Sequence, residues 1–288
     1  MKRILLLFVC AILPSLLMAQ AAGGTIKRTT GNNMKTEGTV VKNKDRIVKS
    51  SKVEKYDWTA PSLTQVQKEQ IIQNIMKNMI YVEGGTFMMG DPSVKDPDKY
   101  VNQLLHKVSV QSFYICKYEV TQEEWYTIMN NNPSEYKGDK RPVEQVRPKD
   151  CEEFINCLNN MTGKSFRLPT EEEWEYAARG GKYTKQYEYA GSNNANSVAW
   201  HGENSGRGHG HTHLVGMKNP NELGIYDMSG NVGELTQGVY KWKTGGGSAN
   251  VYRGGNYLGG PHHCNVYDRD PSSGGSSWEG LRLVLDVR

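Results

Sequence analysis

The chain has 288 residues, 37% hydrophobic and 23% charged, the ordinary proportions of a globular protein. A net charge of +4 is too modest to make a case for nucleic acid binding. With 31 glycines, and with Tyr and Trp rather than Phe as the main aromatics, the composition suggests a loop-rich fold whose aromatic side chains keep a polar handle.

Residues 1–22 read as a signal peptide. Lys2 and Arg3 form the charged start, residues 4–17 are apolar apart from Pro14 and Ser15, and Ala19-Gln20-Ala21 has the small-x-small form of a cleavage site. The apolar run is shorter than the ~20 residues a spanning helix needs. Only nine residues precede Cys10, too few for a full lipoprotein signal. No later stretch is suited to span a bilayer, so no membrane span is expected after signal removal. Residues 23–60 are rich in Lys, Thr, Gly, Asn and Ser without apolar periodicity and read as a flexible linker.

Residues 61–78 read as a short amphipathic helix. Thr64 and Gln67 have capping-box spacing, and Ile71, Ile72, Ile75 and Met79 form one apolar stripe. Strands are expected on both sides of Gly84-Gly85, and one long strand over residues 108–120. Three helices follow. Thr121 caps the first with Glu124 at the box position, Pro148 opens the second, and Thr170 caps the third with Glu173 at the box position. From Gly181 onward regular patterning dissolves, with short strand candidates at residues 251–253 and 281–286. A stretch this long with so little regular structure is usually functional, or held by ions or side-chain networks.

Several segments together resemble one family. They are Tyr81-Val82-Glu83-Gly84-Gly85-Thr86-Phe87-Met88-Met89-Gly90, Tyr118-Glu119-Val120-Thr121 with Glu124 and Trp125, and Arg141-Pro142-Val143-Glu144-Gln145-Val146. They continue with Arg167-Leu168-Pro169-Thr170-Glu171, then Glu173-Trp174-Glu175-Tyr176-Ala177-Ala178-Arg179-Gly180, and Asn221-Glu222-Leu223-Gly224-Ile225-Tyr226-Asp227-Met228-Ser229-Gly230-Asn231-Val232. Arg253-Gly254-Gly255 and Gly280-Leu281-Arg282 complete the set. In this order and spacing they resemble the formylglycine-generating enzyme, or sulfatase-modifying factor, domain. The resemblance covers residues 79–288. It implies an α+β, C-type-lectin-like variant fold, low in regular secondary structure and supported by calcium.

The active family oxidises a sulfatase cysteine with O₂ at copper held by two cysteines, soft ligands that select Cu(I). At the matching positions this chain carries Gly259 for the first cysteine, Gly260 for the neighbouring histidine and Asn256 for the pocket serine. Gly233 and Leu235 replace two tryptophans, and only Cys264 survives. The glycines are expected to widen the site and loosen its loops. Copper is therefore not expected, although His262 and His263 leave a mixed His/Cys site conceivable. Cys264 reads as a buried thiol or half of a disulfide. Pairing of Cys116, Cys151, Cys157 and Cys264 stays open, except that Cys151 and Cys157 are about 9 Å apart along a helix.

By the same resemblance, Asp227, Gly230, Val232 and Glu234 would hold one calcium, two as carboxylates and two through carbonyls. Asn196 could belong to a second site that lacks its later Asp. His209, His211 and His213 would share one face of an extended strand, as metal ligands or, as favoured here, as solvated filler. The expected function is an exported, non-catalytic domain. Its partner would be an extracytoplasmic protein or glycan, or the domain would be a structural part of an envelope complex, acting in the periplasm, at the cell surface or in the medium. The alternative is a formylglycine-generating oxidoreductase. Tyr240, Trp242, Tyr257 and Tyr267 offer contact area or core packing. Trp278 is expected in the core.

Overall fold

The computed structural model describes residues 60–95, 104–206, 208–242 and 247–287, all within one compact unit, Glu54–Arg288. The signal-peptide reading and nearly all of the linker reading lie outside the described residues.

Helix α1 spans Gln65–Lys77, and its Thr64 and Gln67 cap each other reciprocally. Ile71 and Ile75 are its buried residues, and Ile75 belongs to the same apolar core as Trp125 and Leu283. The segments beside Gly84-Gly85 are β1, Met79–Val82, and β2, Gly85–Met89. They do not pair with each other. β2 pairs antiparallel with β3, His106–Val110, whereas β1 pairs antiparallel with β4, Phe113–Cys116. The single strand expected over residues 108–120 is thus two. Gly84 sits where they diverge: a Cβ there would lie 2.5 Å from the Val110 carbonyl oxygen, so the chains approach only because glycine has none.

The three central helices are α2, Gln122–Met129, α3, Pro148–Thr162, and α4, Glu171–Ala178. Capping boxes at Thr121 and Thr170 satisfy donors the helix starts would otherwise leave orphaned. α2 and α3 meet through Trp125 and Phe154, stacked with centroids 4.9 Å apart. Both are fully buried, and each such side chain contributes about 1.5–3 kcal/mol by leaving water.

The C-terminal half holds more sheet than its sequence suggests. β6, Gly233–Lys241, pairs antiparallel with β7, Ser248–Arg253, and parallel with β9, Glu279–Leu281. β8, Arg269–Pro271, joins the outer side of β7. β10, Val284–Asp286, crosses to the first sheet and lies between β4 and β5, Phe166–Arg167. A further α-helix among the described residues, α5, is one turn, Ala195–Val198. The result is a mixed α+β domain of modest regular structure. No helix among the described residues is long and apolar enough to cross a membrane.

Candidate functional site

The loop after β7 is held from several directions. Asn256 Oδ1 accepts the Leu258 and Gly259 main-chain N–H groups at 2.9 and 3.1 Å. The Tyr257 N–H donates to the Asn231 carbonyl at 3.0 Å, and its hydroxyl donates to Ser277 at 3.1 Å. Tyr257 is therefore a buried anchor rather than a contact residue. A short 3₁₀ turn, Pro261–Cys264, then separates two kinds of side chain. His262 and His263 turn outward, whereas Cys264 is fully buried with Tyr189, Ala195, Val198 and Ala199. Burial pushes the Cys264 thiol up to about 12, so it is neither thiolate nor exposed. All four described cysteines are free thiols.

The glycines do not open this region as expected. A Cβ on Gly233 would collide with the Tyr252 ring at 2.4 Å, and one on Gly260 would meet the His262 ring at 2.7 Å. The space a side chain would take at each position is already filled by another aromatic ring. Only Gly259 borders open volume, a cavity of about 460 Å³ whose walls include Tyr252, Asn256, Leu258, His263, Asp270 and Trp278. Trp278, expected in the core, is half-buried and lines this cavity. Tyr240 and Trp242 lie at the other end of β6, edge to face at 5.6 Å.

Asp227 and Glu234 are brought near each other, though not as two free ligands. Both Glu234 oxygens accept from Arg282, Nε at 2.9–3.0 Å and Nη2 at 2.5 Å, and Oε2 also accepts the Trp174 indole N–H at 2.7 Å. Asp227 differs. Its Oδ2 accepts the Gly216 N–H at 2.6 Å, while the buried Oδ1 has no partner. Glu119, noted in the sequence only as part of a family-like segment and not as a site residue, is a third buried carboxylate. It accepts from Asn231 Nδ2 at 2.7 Å and from the Val232 N–H at 3.1 Å. Burial raises the Glu119 carboxyl well above the usual range, and the Asp227 charge adds to it. Burial likewise lifts Asp227 to about 6. Glu119, Asp227 and Glu234 all act electrostatically on one guanidinium, Arg282. The loop itself is tightly formed: Asp227 and Asn231 are left-handed, and a Cβ on Gly230 would strike the Trp200 carbonyl oxygen at 2.2 Å.

The His-x-His-x-His stretch lies in irregular structure, not on a strand. His209 is exposed, and His211 faces the Thr212 carbonyl. His213 stacks on Trp200 at 3.7 Å and donates from Nε2 to the Ser205 carbonyl at 3.0 Å. Its pKa falls to about 4 through burial, so this imidazole is a neutral packing element and not solvated filler. Asn196 Oδ1 accepts from Asn204 at 3.0 Å and lies 3.0 Å from His201 Nε2.

The family model for the sulfatase-modifying factor enzyme 1-like domain matches residues 64–287. The chain belongs to this family. The match begins at Thr64 and so includes α1. The chain is 34% identical over 207 residues to "Chaperone protein LppX" of Paenibacillus barcinonensis, covering 56% of this chain and 71% of that one. It is 35% identical over 99 residues to "Inactive C-alpha-formylglycine-generating enzyme 2" of Mus musculus, about a third of either protein (32%). Among solved structures, "Treponema denticola variable protein 1" superposes with a TM-score of 0.63 at 29% identity, covering 73% of this chain and 95% of that one.

Proposed function

We propose that this family member works outside the cytoplasm as a non-catalytic binding domain, holding a protein or glycan partner in the cavity beside Gly259. One observation carries the reading. The position that would bear the first copper cysteine is a glycine bordering a cavity with Tyr252 and Trp278 in its walls, while Cys264 faces the core. Aromatic walls give rigid contact area at small entropic cost, a property suited to recognition. Two-thiolate copper chemistry has no second sulfur here. A relative named as inactive agrees with that.

Calcium enters the proposal as a structural ion. The unpartnered Asp227 Oδ1 and the surplus of carboxylates over guanidinium suit a hard cation. Asp227, with the Gly230 and Val232 carbonyls, would hold it, and Glu119 would contribute charge. Glu234 does not fit as a ligand, since Arg282 and Trp174 occupy it. Bound calcium would stiffen residues 227–232, on which Tyr257 hangs through the Asn231 carbonyl.

The test is cross-linking and glycan-array binding with the wild-type chain and Trp278→Ala. A bound partner should lose about thirtyfold or more in affinity if Trp278 is a central contact. Undiminished binding by Trp278→Ala would remove the cavity from the proposal, and aldehyde formation on a sulfatase peptide would remove its non-catalytic part.

A further inference from the structure

We propose that His263, Asp268 and Asp270 form a three-ligand site for a borderline divalent metal ion of the zinc class, with its open position facing the cavity. One ligand atom from each lies within 4.8 Å of the others. A tetrahedral zinc with bonds of about 2.05 Å places its ligands about 3.3 Å apart, so the three must draw in by an ångström or so. His263 is free to do this because its side chain is 48% exposed. Its Nδ1 already lies 3.2 Å from Asp268 Oδ2.

Three further observations point to a cation. First, the positive groups nearest in sequence are turned away. Arg269, between the two aspartates, is bound to Glu171 by two contacts of 2.7 Å. Arg253 reaches this segment only through the Tyr267 and Asp268 carbonyls, while its Nη2 pairs with Glu175. Asp268, whose Oδ1 accepts the Arg269 main-chain N–H at 3.1 Å, thus lies beside Asp270 with no guanidinium among the described residues on either carboxylate. Second, His263 and Asp270 both line the cavity, so a metal between them has an accessible face. Third, the imidazole lies against Gly259 on the cavity wall, where even a Cβ would be in ordinary contact with His263 Cβ at 3.4 Å and Cδ2 at 3.6 Å, so the glycine leaves that side of the ring uncovered.

The donor set decides the metal class. An imidazole disfavours calcium and magnesium, which take oxygen ligands, whereas one nitrogen and two carboxylates suit zinc. Three protein ligands leave a position for water or for an oxygen of whatever enters the cavity. The site uses neither Cys264 nor the residues around Asp227.

The experiment is zinc titration of the untagged full chain against a competing chelator, with Co²⁺ as spectroscopic probe and excess calcium present. The wild type should bind one zinc with an imidazole-dependent Co²⁺ spectrum. His263→Ala and Asp270→Asn should each weaken it at least tenfold, the lower end of what even outer-shell changes cost a metal site. A His209→Ala/His211→Ala variant should bind as the wild type does. Because His263 is exposed, His263→Ala should fold, and zinc should raise the wild-type melting temperature but not that of the variant. Absence of binding, equal binding by His263→Ala, or loss only in the His209/His211 variant would overturn the proposal. No partner is needed, so the result stands apart from the cavity test.

Discussion

Glu144 is fully buried, and only one of its oxygens is engaged. Oε1 accepts the Tyr136 N–H at 2.9 Å, while Oε2 has no partner. Burial lifts its carboxyl from 4.5 to about 8, the Tyr136 N–H opposing. The folded state therefore binds a proton that the unfolded state releases above pH 4.5. Stability is not reduced below that pH, falls as pH rises, and levels off above about 8. At about 1.4 kcal/mol per pH unit, the cost is about 1 kcal/mol at pH 5 and about 4 at pH 8. Glu144→Gln removes the titration. Its amide N–H₂ in place of the orphaned oxygen costs about 1–3 kcal/mol at every pH, an offset that cancels in the comparison. Urea denaturation of both proteins from pH 5 to pH 8, in chelator, should show the variant gaining about 3–4 kcal/mol on the wild type across the range. Parallel stability curves would refute the reasoning, because Glu144 would then ionise in the fold without penalty.

Three other outcomes are expected. Glu234→Ala should destabilise by about 3–5 kcal/mol in urea denaturation, because it leaves Arg282 charged and unpaired in the interior; a loss below 1 kcal/mol would mean water reaches the guanidinium. Chelation should lower the melting temperature of the wild type, and Asp227→Asn should be insensitive to chelator; equal sensitivity of both proteins would place calcium elsewhere or nowhere. A sulfatase-derived peptide incubated with copper and O₂ should keep its cysteine, and mass spectrometry showing aldehyde above a Cys264→Ala control would overturn that expectation.

What the sequence disclosed was local. Thr121-x-x-Glu124 and Thr170-x-x-Glu173 announce helix starts because a cap is a contract between residues three apart. The family resemblance carried the fold beyond that range. What stayed hidden was set by partners distant in the chain. Nothing near Glu234 tells that Arg282 will occupy both its oxygens, which is why the carboxylate reads as a free ligand. Gly233 and Gly260 read as vacancies because the rings that fill them, Tyr252 and His262, are placed by the fold. β6 went unread because its buried half, residues 233–236, does not alternate: both faces are covered, Glu234 by Trp174 and Arg282 and Leu235 by the apolar core that holds Trp125 and Leu281. The His263–Asp268–Asp270 cluster depends on the turn after Cys264, which carries Asp268, and on β8, which carries Asp270, to bring both aspartates to the histidine.

The course of β10 has a consequence for how the domain is made. This strand sits between β4 and β5, so residues 284–286 supply the middle of a sheet whose other members are formed much earlier in the chain. A chain emerging from its N-terminal end must carry that sheet split, with the inner edges of β4 and β5 unpaired, until residues 284–286 arrive. Arg282 arrives with them, and until then Glu234 has no guanidinium to meet. Completion of this sheet therefore waits on residues 284–286, and removing them would leave β4 and β5 without their shared partner.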